Sequence, residues 1–73
     1  MMRSSQVLSI LKDELNIDVL ESHFTASDYF HVTLDDSMLT STTIAVLMKK
    51  YRLSFFVTLR DNNIHLGFFG VGK

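Results

Sequence analysis

Val7, Leu8, Leu11 and Leu15 fall three and four residues apart, with Lys12, Asp13 and Glu14 largely opposite them. That spacing gathers apolar side chains on one side of an α-helix and predicts an amphipathic helix. Ser4 and Ser5 are its N-cap candidates, because a short side-chain oxygen can accept from the free amides of a first turn. Asn16 is the predicted stop, since asparagine tolerates the left-handed conformation found at helix ends.

Beyond Asn16 the pattern changes. Residues 18–25 and 29–34 are rich in aromatic and β-branched types and are separated by the turn-forming Ala26, Ser27 and Asp28, so a β-hairpin is predicted. In its second strand Phe30, Val32 and Leu34 face one way, and Tyr29, His31 and Thr33 the other. The first strand has no clean face, because Val19, Leu20 and Phe24 do not share one parity.

Asp35, Asp36 and Ser37 offer caps for a second helix whose apolar stripe is Ile44, Leu47, Met48 and Tyr51. The run from Thr40 to Thr43 opposes it, since Ser and Thr compete with the helix backbone for hydrogen bonds. Met38, Leu39 and Val46 lie off the stripe and read either as scattered surface apolar residues or as a second contact surface. Lys49, Lys50 and Arg52 stand near the helix end, where cations interact favourably with its dipole.

Residues 53–60 and 63–69 make the clearest hairpin in the chain, turning at Asp61 and Asn62, which accept positive φ. That turn sets Leu59 opposite Ile64, Val57 opposite Leu66 and Phe55 opposite Phe68, one wholly apolar face. The other face pairs Thr58 with His65, Phe56 with Gly67 and Ser54 with Phe69. An offset of 36 residues places Leu11 on Leu47, Leu15 on Tyr51, Ile17 on Leu53 and Val19 on Phe55, a faint repeat of two αββ units.

The predicted fold is therefore a single α+β domain over residues 1–73 in α-β-β-α-β-β order. It is a two-layer sandwich in which one four-stranded sheet carries both helices on one face. The same order is a circular permutation of the βαββαβ ferredoxin-like arrangement, an analogy of architecture alone, which would make the second and fourth strands central.

Composition narrows the picture further. A chain of 73 residues supports one core, and 47% apolar with 21% charged residues suits a packed globule. There is no cysteine, so neither a disulfide framework nor a thiolate metal site is available. No signal-peptide pattern opens the sequence and no apolar run is long enough to span a bilayer, so a cytoplasmic protein with no membrane partner is expected. Net charge is only −1, but residues 1–36 carry seven acids against Arg3 and Lys12, and residues 37–73 carry five bases against Asp61. Opposite charges from the two halves are expected to mix on the folded surface.

Candidate chemistry is sparse. None of the familiar nucleophile, zinc-hydrolase or phosphate-loop motifs occurs, and Asp35–Asp36 reads as a cap, so no enzyme, cofactor or metal is expected. His23, His31 and His65 lack metal-ligand spacing. The sheet face away from the helices is more informative: it should display Tyr29, His31, Phe56, Thr58, Arg60, His65 and Phe69. So much aromatic surface calls for a cover. The expectation is a small non-enzymatic binding module that self-associates through this face, with a dimer as the first state, and that acts on a larger protein partner. The alternative is a single-stranded nucleic-acid binder, with bases stacked on the aromatics and Lys49, Lys50 and Arg52 as a basic edge. A third possibility is that loops or the chain end, residues 70–73, cover the patch.

Overall fold

The computed structural model describes residues 2–73. Helix α1 (Ser4–Ser9) continues into a π-helical turn (Ile10–Glu14), and strands β1 (Val19–Phe24) and β2 (Phe30–Asp35) follow. A short 3-10 turn (Asp36–Met38) leads to helix α2 (Ser41–Ala45), which also continues into a π-helical turn (Val46–Lys50). Strands β3 (Ser54–Arg60) and β4 (Asn63–Phe69) complete the chain. The strands form one antiparallel sheet in the order β1-β2-β4-β3. β2 and β4 are thus central, as the permuted arrangement requires.

The two αββ units end their helices identically. Leu15 N–H donates to Ile10 C=O at 3.1 Å and Ile17 N–H to Leu11 C=O at 2.8 Å; Tyr51 N–H donates to Val46 C=O at 3.1 Å and Leu53 N–H to Leu47 C=O at 2.9 Å. In each case one residue turns left-handed to allow this, Asn16 at φ 56° and Arg52 at φ 58°. The repeat is structural: Leu11 and Leu47 are fully buried, and Ile17 and Leu53 are buried just after the turns. Glu14 and Lys50 occupy equivalent positions and meet, Lys50 Nζ donating to Glu14 Oε2 at 3.0 Å while the Tyr51 hydroxyl donates to Glu14 Oε1. These two bonds hold the Glu14 carboxyl below the usual carboxylate range. Charges from the acidic and basic halves do mix here.

The core lies between helices and sheet. Val7, Ile10 and Leu11 from the first helix and Leu47 from the second pack on Phe30, Val32 and Leu34 of β2 and Ile64, Leu66 and Phe68 of β4. The second hairpin has the predicted register throughout, and its turn places Asp61 at φ 55° and Asn62 at φ 63°. The irregular first strand has a physical cause: its register against β2 slips between Val19 and Glu21, so no single parity describes it.

Several expectations need correction. Arg3, not Ser4 or Ser5, is the extended residue before α1, and its N–H is satisfied by Gln6 Oε1 at 2.8 Å. Asp35 caps the 3-10 turn, where its carboxylate accepts from Ser37 N–H and is held acidic by that bond. Thr40 caps α2, accepting from Thr43 N–H at 3.2 Å, so the threonine run builds the helix start instead of opposing it. Thr43 is buried with its hydroxyl bonded to Met38 C=O. The predicted stripe also shifts: Met48 is exposed, whereas Met38, Leu39 and Val46 pack against the core and form no outward patch.

Candidate functional site

Both helices sit on one side of the sheet, so strand alternation decides what the other side shows. On β2 it shows His31 and Thr33, with Tyr29 just before the strand; on β4, His65, Gly67 and Phe69; on β3, Phe56, Thr58 and Arg60; and on β1, Glu21 and His23, set opposite Thr33 and His31. The structure therefore brings all seven residues of the predicted face together. His23 is an addition that sequence reasoning missed, because the register slip hid the parity of β1.

Two clusters occupy this face. Tyr29 meets Phe56 edge-on with ring centroids 5.1 Å apart, and Phe69 lies 5.4 Å from Phe56 and 6.1 Å from Tyr29. Gly67 makes this possible, because a Cβ there would overlap the Phe56 ring. Phe56 remains 37% and Phe69 51% exposed.

The second cluster is a row of imidazoles. His31 Nε2 lies 3.1 Å from His65 Nδ1, which is also 3.3 Å from the Thr33 hydroxyl, and the His23 ring packs 4.8 Å from His31. Glu21 approaches His23 Nδ1 at 3.6 Å. His31 Nδ1 and His65 Nε2 are buried without a hydrogen-bond partner. Burial lowers the His31 pKa below its ordinary 6.5, and the positive potentials of His23, His65 and Arg60 add to that, against a raising effect from Glu21. Among the described residues no group of three or more His, Cys, Asp or Glu is placed to hold a metal ion.

The basic edge does not join this face. Lys49 and Lys50 end the second helix, in the layer across the sheet, and Lys50 is engaged by Glu14. Of the basic residues proposed for nucleic-acid contact, only Arg60 stands with the aromatics.

Nor does the chain end cover the aromatics. Gly72 pairs in parallel with Arg3, donating to Met2 C=O at 2.9 Å and accepting from Ser4 N–H at 2.7 Å, and Val71 is buried in the core. Backbone bonds to the chain start thus hold the tail in place. Two clefts lie elsewhere, one bounded by Leu8, Lys12 and Ile17 and the other by Gln6, Ile10 and Tyr51, and neither includes a residue of the open face. No described helix is long and apolar enough to cross a membrane. No family model matches this chain, and neither does any curated protein or solved structure.

Proposed function

We propose that this chain is a non-enzymatic binding module that self-associates through the open face of its sheet. The observation that carries this reading is the uncovered Tyr29, Phe56 and Phe69 cluster beside two buried imidazole nitrogens that lack partners. Burying apolar surface contributes about 25 cal/mol per Å², so several rings covered at once offset the lost freedom of association. A second copy is the natural cover, since a two-fold axis sets a patch against itself.

Sedimentation at micromolar concentration tests the proposal. The expected species is larger than a monomer, and replacing Phe56 and Phe69 together by Ser reduces its mass while the fold, read by circular dichroism, is retained. A wild-type monomer, or a mass that the double substitution does not change, overturns it.

Acidification provides a second handle. Because His31 has a lowered pKa in the folded chain, the unfolded chain binds more protons as pH falls through 6.5. His31's contribution to stability is therefore complete above 6.5, and it is lost as pH falls from there toward the lowered folded value. Association is expected to weaken over the same window, since a closed interface would further penalise imidazolium.

A further inference from the structure

The two strands that bound the sheet treat their free edges differently. β1 breaks register between Val19 and Glu21 and carries Glu21 and His23, devices that discourage another strand from adding on. β3 keeps an unbroken register of seven residues against β4 and has no bulge, no proline and no charge from Ser54 to Leu59. Among the described residues it pairs only with β4, which leaves the N–H and C=O groups of alternate residues pointing outward. Its sequence, Ser-Phe-Phe-Val-Thr-Leu, combines high β-propensity with zero charge. Val57 and Leu59 are 47% and 69% exposed although they lie on the face that carries the helices.

We infer that β3 is a pairing edge for β3 of a second copy, joined antiparallel about a two-fold axis at Val57 into a continuous eight-stranded sheet. The sequence fits itself in that register. Val57 meets Val57, Phe55 meets Leu59, Phe56 meets Thr58 and Ser54 meets Arg60, so no like charges oppose each other. A shift of the axis by one residue either way leaves strand residues unpaired. With the axis perpendicular to the sheet, both helical layers stay on one side. Val57 and Leu59 then fall between them instead of at a margin. This interface is distinct from the open face, and it lengthens that face by joining two copies of it.

The position of the axis supplies the test. A residue on it meets its own copy, so Val57→Lys and Val57→Glu each set like charges together, whereas an equimolar mixture sets opposite charges together. By sedimentation, each variant alone is expected to have half the wild-type mass, and mixing restores it. Tyr29→Ser with Phe69→Ser, which alters the open face only, leaves the response to Val57 charges in place. Amide exchange on the unaltered protein gives a readout free of any folding defect in the variants: alternate β3 amides gain protection as concentration rises. A monomeric wild type, an unchanged mass in both charge variants, or β3 exchange independent of concentration overturns the inference.

Discussion

Val57 and Leu66 face each other across one rung of the β3–β4 ladder and point to the same side of the sheet, yet Leu66 is fully buried and Val57 is 47% exposed. The next rung on that side repeats the contrast, with Ile64 buried and Leu59 largely in water. Alternation along a strand assigns a side chain to a face, but position across the sheet assigns its depth. The helices are wide enough to cover β2 and β4, and they leave the outer strand at the rim. A uniform apolar face, as read from the hairpin alone, therefore splits into a core half and a contact half.

Substitutions can break that contrast. Leu66→Ala should have the largest effect, a loss of about 2–5 kcal/mol in denaturant unfolding, because a central residue leaves a cavity between sheet and helices. Thr40→Ala should cost about 1 kcal/mol by removing the cap on the helix that carries Leu47 over the central strands, and Thr40→Ser should recover most of it. Gly67→Ala couples centre to rim. The added methyl group must push the Phe56 ring off its seat, at a cost on the order of 1 kcal/mol, with a change in the aromatic chemical shifts of Phe56 and Tyr29 as the direct sign. Val57→Ala should be mildest in the monomer, below about 1 kcal/mol, as expected of a half-exposed edge position. A loss there equal to that of Leu66→Ala would mean that something covers the rim.

Local chemistry was legible in the residues. The Asp61–Asn62 turn fixed the register of the second hairpin, since two adjacent positive-φ residues admit one tight geometry, and that register in turn fixed which side chains share the open face. The stop at Asn16 was likewise readable from a residue type that tolerates positive φ, and the 36-residue repeat from its matching apolar positions, whereas the equivalent left-handed turn at Arg52 left no such trace. Less legible was whatever depended on a neighbour distant in sequence. The slip in β1 has no signature of its own and exists only against β2, so His23 could not be assigned to the imidazole row.

Alternation and turn residues, which act within a few bonds, determined the facing of β2, β3 and β4 and the aromatic cluster of this protein. Tertiary packing alone decided that the helices leave Val57 and Leu59 uncovered, that Met38, Leu39 and Val46 turn inward, and that the tail docks Val71 into the core beside the chain start. Depth is a property of how many layers lie over a residue, and those layers come from segments tens of residues away whose arrival no local pattern encodes.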